Sequence, residues 1–235
     1  MTREPLTVAV AQPPCVRYDV AANARTHAAT IRSVGARVVV FPELSLTGYE
    51  LDARPIAAHR PELTPVVEAC AEVGSVALAG APVDGRTGRP HIAILAIDGT
   101  GVAVAYHKMW LGASECERFA AGEEPAVLDV DGWRLGLAVC KDTGVPQHAA
   151  DTAALGIDAY VAGTLKAANE AAVQDERARN VAVDHEVWVA VASFAGPTGG
   201  GFDEAAGRSA IWSPDGVPVA RAGTEVGAVA SATLR

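Results

Sequence analysis

Aromatic residues make up only 5% of this 235-residue sequence. No apolar run reaches the roughly 18 residues of a membrane-spanning helix, and nothing after Met1-Thr2-Arg3-Glu4-Pro5 reads as the apolar segment of a secretory signal, so the cytoplasm is the expected location. Positive charge is scarce as well. Lys and Arg total 19 against 28 for Asp and Glu, and a net charge of −9 disfavours nucleic acid and anionic membrane surfaces as partners. The four cysteines, Cys15, Cys70, Cys116 and Cys140, include no Cys-x-x-Cys pair, which argues against a disulfide framework and a structural zinc site. No Gly-x-Ser-x-Gly elbow occurs, so a serine hydrolase of that kind is excluded. The cysteine signature of papain-like enzymes is absent too, which leaves little reason to pair Cys140 with His27, His59, His91, His107, His148 or His185. The run from Gly196 to Gly201 lacks the Gly-x-Gly-x-x-Gly spacing of a phosphate cradle and reads as a mobile loop.

What the chain does hold is 50% hydrophobic residues, mostly Ala, Val, Leu and Ile, the residues of buried strands and closely packed helices. A chain of this length hides about 70% of its unfolded surface, enough for a core without staples. Strand-like runs at Leu6–Gln12, Val38–Phe41 and Ser75–Ala81 alternate with helical patterns at Val20–Ser33 and Pro61–Val73. Strands at His91–Ile97 and Val102–Tyr106 flank the Asp98-Gly99-Thr100-Gly101 turn, and Ala126–Val130 and Trp133–Val139 flank Asp131-Gly132. A helix from about Gln147, a strand at Ala159–Ala162, a helix over Asn169–Asp184 and a strand at Glu186–Ser193 follow. Three short strands around Ser209–Trp212, Val217–Ala220 and Gly227–Ala232 close the pattern. There is no internal repeat and no dividing linker, so residues 1–235 are expected to form one α/β domain.

Open α/β sheets place their sites just beyond strand ends. Glu43 follows the run Val38–Phe41 and Pro42, Lys108 follows Val102–Tyr106, and Cys140 caps Trp133–Val139. Taken singly, each has a bland reading: a cysteine ending an apolar strand is most often a small buried hydrophobe. His148 and Asp151, three apart on a helix, are too few for a metal site and read as a surface pair.

Taken together, these positions resemble the carbon–nitrogen hydrolases of the nitrilase superfamily. Phe41-Pro42-Glu43-Leu44-Ser45-Leu46-Thr47-Gly48-Tyr49 is similar to the family's glutamate motif, Tyr106-His107-Lys108-Met109-Trp110-Leu111 to its lysine motif, and Gly136-Leu137-Ala138-Val139-Cys140-Lys141-Asp142 to its cysteine elbow, in that order. The resemblance implies a four-layer α-β-β-α sandwich, a single domain and association as a homodimer or higher homo-oligomer. It implies Cys140 as nucleophile, Glu43 as base, Lys108 as the cation facing the oxyanion and the Lys141 backbone N–H as second oxyanion donor. A second glutamate is expected four residues before the Phe119-Ala120-Ala121-Gly122 group, at Glu115, with Glu117 as the alternative. Cys140-Lys141-Asp142 resembles the amidase and carbamoylase branches, which makes a small amide or an N-carbamoyl compound the expected substrate, with no cofactor and no metal; the alternative is a protein of the same fold that binds a ligand or partner without turnover. Tyr49 and Lys166 are the candidate substrate contacts, with Lys166 or Lys141 reading a carboxylate of an acidic amide.

Overall fold

The first half of the chain lays down β1 (Leu6–Ala11), α1 (Val20–Val34), β2 (Val38–Val40), α2 (Thr64–Val73), β3 (Val76–Val83), β4 (His91–Asp98), β5 (Gly101–His107) and the single turn α3 (Ala113–Cys116) in a computed structural model that describes residues 3–86 and 88–235. The second half supplies β6 (Val127–Val130), β7 (Trp133–Val139), α4 (Pro146–Ala153), β8 (Ala159–Thr164), α5 (Ala171–His185), β9 (Trp188–Ser193), β10 (Ala195–Gly196), β11 (Ala205–Ala206), β12 (Ala210–Trp212), β13 (Pro218–Arg221) and β14 (Val229–Leu234). Two six-stranded sheets result, ordered β14-β1-β2-β3-β4-β5 and β13-β12-β9-β8-β7-β6. β14 returns antiparallel to β1, so the end of the chain completes the sheet begun by its start.

Strand alternation decides the layering. In β1, Val8 and Val10 join the core between the sheets while Ala9 and Ala11 face α1 and α2. In the second sheet, Leu137 and Val139 point inward, while Ala138, Tyr160 and Ala162 pack under α4 and α5. Period-two burial on both faces of each sheet gives three hydrophobic cores and four layers, α-β-β-α. Helix α1 shows how the outer layers attach. Asp19 caps it by accepting from Ala22 N at 2.9 Å, Gly35 ends it in the left-handed region (φ 59°), and Ala24, Ala28 and Ile31 form its buried stripe.

Several sequence expectations are corrected. The helices read at Pro61–Val73 and Asn169–Asp184 each open with a 3-10 turn, at Pro61–Leu63 and Ala168–Glu170. The Gly196–Gly201 run leaves β10 and turns against the glutamate segment, where Gly199 N donates to Gly48 O at 2.8 Å and Thr198 Oγ1 to the same carbonyl at 3.1 Å. His148 is buried, not a surface residue, and Asp151 accepts from Gln147 instead. Among the described residues no helix is long and apolar enough to cross a membrane, and no group of three or more His, Cys, Asp or Glu is placed to hold a metal ion.

Candidate active site

The glutamate segment leaves β2 and folds into a tight turn. Ser45 N donates to Pro42 O at 3.2 Å and Tyr49 N to Leu44 O at 3.2 Å, with Leu44 and Tyr49 both at positive φ. This turn is pressed between two strands at glycines. A Cβ on Gly80 of β3 would lie 2.3 Å from Leu44 N, and one on Gly163 of β8 would lie 2.6 Å from Phe41 O. Backbone blocks both positions, so neither contact can be relieved by a side-chain rotation. Gly80→Ala is therefore expected to cost about 1–3 kcal/mol by overpacking, read from the urea midpoint, and to lower turnover by displacing Glu43.

Lys108 follows β5 and is 1% exposed. Its ammonium lies 2.5 Å from Glu43 Oε1 and 2.8 Å from each oxygen of Glu115. Glu115 sits in α3, accepts from Gly112 N at 2.6 Å and takes the Tyr49 hydroxyl at 3.2 Å. Glu117 is exposed and makes no part of this group. A cation this deep is tolerable only because two carboxylates surround it. Burial alone would lower the Lys108 pKa, but Glu43, Cys140 and Glu115 reverse that and raise it, so it stays charged.

Cys140 follows β7 at φ 42°, a left-handed conformation that a side chain adopts only when its surroundings impose it. The chain then enters a 3-10 turn, Cys140–Gly144, which places the Lys141 N–H in a first helical turn, where backbone donors have no intrahelical partner. The thiol donates to Leu165 O at 3.3 Å. Burial, then the charge of Glu43, pushes its pKa up to about 12, while Lys108 and Lys166 pull the other way. Burial likewise raises Glu43 to about 7 against the attraction of Lys108. Glu43 Oε2 is buried with no hydrogen-bond partner.

The structure thus gathers Glu43, Lys108, Glu115, Tyr49 and Cys140 at one point between the sheets. Tyr49 is 9% exposed and spends its hydroxyl on Glu115. Lys166 follows β8 with a side chain 14% exposed, and its Nζ lies 3.8 Å from Glu170 Oε1. The Lys141 ammonium is turned to Leu111 O at 2.6 Å. A cleft of about 630 Å³ lined by Arg17, Tyr18, Asp52, Arg54 and Arg60 shares Thr47 with the glutamate turn but includes none of the clustered residues.

One buried group was not singled out from sequence. Asp142 accepts from Val139 N at 2.9 Å, Trp110 N at 2.8 Å and the Tyr106 hydroxyl at 2.8 Å, joining the cysteine elbow to the strand end that carries Lys108. His148 lies 2.8 Å from both Tyr106 and Tyr160 hydroxyls. The available signal was Tyr106 and Asp142 inside the two motifs; nothing in the spacing pointed to Tyr160.

The four-layer fold with these motifs at its strand ends defines a member of the nitrilase superfamily. The chain belongs to the carbon–nitrogen hydrolase family, whose model matches residues 7–235. It is 28% identical to the Pseudomonas protegens "Hydrolase in pqqF 5'region" over 94% of this chain and 80% of that one. An omega-amidase of Yersinia enterocolitica, YafV, is 28% identical over 67% of this chain and 62% of its own length. Among solved structures, Nit3 of Saccharomyces cerevisiae superposes with a TM-score of 0.87 at 22% identity, covering 98% of this chain and 90% of that one. A cysteine-to-alanine variant of the amidase from Nesterenkonia sp. AN1 in complex with butyramide gives 0.84 at 26% identity, covering 97% and 90%.

Proposed function

We propose that this chain hydrolyses the C–N bond of small amides through a thioester on Cys140. The observation that carries this reading is the buried Lys108 held between Glu43 and Glu115 beside the strained cysteine. Rotation of the thiol away from Leu165 O hands its proton to the unpartnered Oε2 of Glu43 as Sγ attacks the amide carbon. The oxyanion forms against the Lys108 ammonium and the Lys141 N–H. Glu115 and Tyr49 hold Lys108 in place. Collapse expels ammonia or an amine, protonated by Glu43; the same carboxylate then activates water, which cleaves the thioester to a carboxylic acid and restores the thiol.

Amides are favoured over nitriles by Cys140-Lys141-Asp142 and by the amidase relatives, one of which binds butyramide. Ammonia release from a panel of amides, N-carbamoyl compounds and nitriles, with Cys140→Ala as control, tests the reading. Release by the parent alone supports it. No release from any compound favours a protein of this fold that binds a ligand without turnover, and release by Cys140→Ala rejects the mechanism.

Within the amides, one bearing a carboxylate is the substrate we infer. Lys166 is a largely buried cation whose charge reaches Cys140, and the carboxylate paired with it among the described residues, Glu170, is at the long distance of 3.8 Å. Lys141 is the weaker candidate because its ammonium is engaged by Leu111 O. Lys166→Ala is expected to raise KM about tenfold for amides carrying a carboxylate, the loss of one charge-assisted contact, and to leave neutral amides unchanged. Equal KM changes for both classes contradict the assignment. A homodimer built through the α4–α5 layer, where Leu155, Val173 and Val183 are exposed, and a cytoplasmic location complete the proposal; sedimentation velocity and cell fractionation read them.

A further inference from the structure

With Asp142 ionised and His148 neutral, the hydrogen bonds around Asp142 admit one arrangement of protons. The Tyr106 hydroxyl has one proton and gives it to Asp142 Oδ2 at 2.8 Å. Its oxygen must therefore accept from its other neighbours, Met109 N at 3.3 Å and His148 Nε2 at 2.8 Å. His148 then carries its proton on Nε2, and in the neutral ring Nδ1 is an acceptor, which is what the Tyr160 hydroxyl at 2.8 Å requires. Both tyrosines meet the imidazole edge-on, at interplanar angles of 70° and 80°, so the ring nitrogens point at the hydroxyls. Every donor from Tyr160 onward points one way, Tyr160 to His148 to Tyr106 to Asp142, and the series ends on a carboxylate.

The four side chains come from four elements: Tyr160 from β8, His148 from α4, Tyr106 from β5 and Asp142 from the turn after β7. They run from the core under the helices, past the second sheet, to the edge of the first. The carboxylate at the end grips the chain one residue before Cys140, at Val139 N, and two residues after Lys108, at Trp110 N. Nucleophile and cation are thus registered to each other through one anion, which must stay ionised although burial works against it.

We infer that His148 and Tyr160 are positioning residues of this enzyme: through Tyr106 they polarise Asp142 and so hold the Cys140 elbow in register with Lys108. The inference rests on Cys140 as the nucleophile. Hydrogen bonds aligned head to tail strengthen one another, which gives the remote hydroxyl of Tyr160 a hold on the site that it has no direct contact with.

Two measurements on the whole protein test this. The first is the ¹⁵N spectrum of histidine-labelled protein, with the His148 signals assigned by their loss in His148→Gln. A pyrrole-type Nε2 and a pyridine-type Nδ1 at neutral pH are expected; the opposite tautomer, or an imidazolium, overturns the inference. The second is the rate of Cys140 alkylation by chloroacetamide, followed by mass spectrometry of the Cys140 peptide after proteolysis because Cys116 is exposed and free as well, which needs no knowledge of the substrate. His148→Leu and Tyr106→Phe should each slow it by about tenfold, through loss of the bond into the Tyr106 hydroxyl in the first and of the bond into the Asp142 carboxylate in the second, and the double variant should be no slower than the worse single one. His148→Gln, whose amide can both donate to Tyr106 and accept from Tyr160, should stay within about threefold of the parent. Losses that multiply in the double variant, an unchanged rate in His148→Leu, or a His148→Gln as slow as His148→Leu each contradict the inference. A parent Cys140 that resists chloroacetamide instead contradicts the nucleophile assignment, a failure visible before any variant is compared.

Discussion

Glu43→Gln is expected to lower kcat on amides by about 10²–10⁴-fold, the worth of a positioned general base, with the fold intact. Glutamine keeps the shape and can still take the Lys108 ammonium on its amide oxygen, but it cannot receive the thiol proton, and a thiol pushed up to about 12 does not ionise unaided at neutral pH. The pH profile supplies a second reading of the same residue. Burial raises Glu43 to about 7, so the base form, and with it kcat/KM, should climb as pH rises through neutrality and level off above. In Glu43→Gln that acid limb should vanish along with most of the rate. A limb that persists unchanged in the variant assigns the titration to another group.

Lys108→Met should be the most damaging substitution for stability and activity together. Methionine fills the volume of the lysine stem but leaves Glu43 and Glu115 facing each other in a site where both are at most 3% exposed. Stripping a buried ion pair of one partner costs about 3–5 kcal/mol, read here from the urea midpoint. Loss of the oxyanion's cation should remove a further 10²–10³-fold or so of kcat. The sign of the pH dependence separates this from a simple cavity. Without the ammonium, burial and the charge of Glu115 hold the Glu43 carboxyl above its ordinary pKa in the folded state, so the folded protein binds more protons than the unfolded chain and stability falls as pH rises through that window. Lys108→Met should therefore regain much of its stability toward the ordinary carboxylate pKa, whereas a cavity defect would be equally costly at every pH.

Strands and helices with several turns of clear periodicity were legible nearly to the residue: Val20–Ser33 became Val20–Val34 and Trp133–Val139 is unchanged. The single-turn α3 and the two-residue strands β10 and β11 had no periodic signal to give. Glu43, Lys108 and Cys140 were legible because each stands at a strand end within a recognisable motif, yet 65 and 32 residues separate them, and only the pairing of the two sheets brings them together. His148 was misjudged for a definite reason. Three residues from Asp151 on a helix, it suggested a shared exposed face, but α4 turns His148, Ala149 and Thr152 inward. The partners that make its burial tolerable, Tyr106 and Tyr160, lie 42 and 12 residues away.

Passage of a carboxylic acyl group through Cys140 is read most directly by mass spectrometry of protein acid-quenched during turnover of its best amide, followed by proteolysis. An acyl adduct is expected on the peptide containing Cys140, equal in mass to the amide's acyl group, lost on incubation in buffer and absent from Cys140→Ala. Steady ammonia release with no adduct at any time after mixing, or an adduct on Cys15, Cys70 or Cys116 instead, would contradict it.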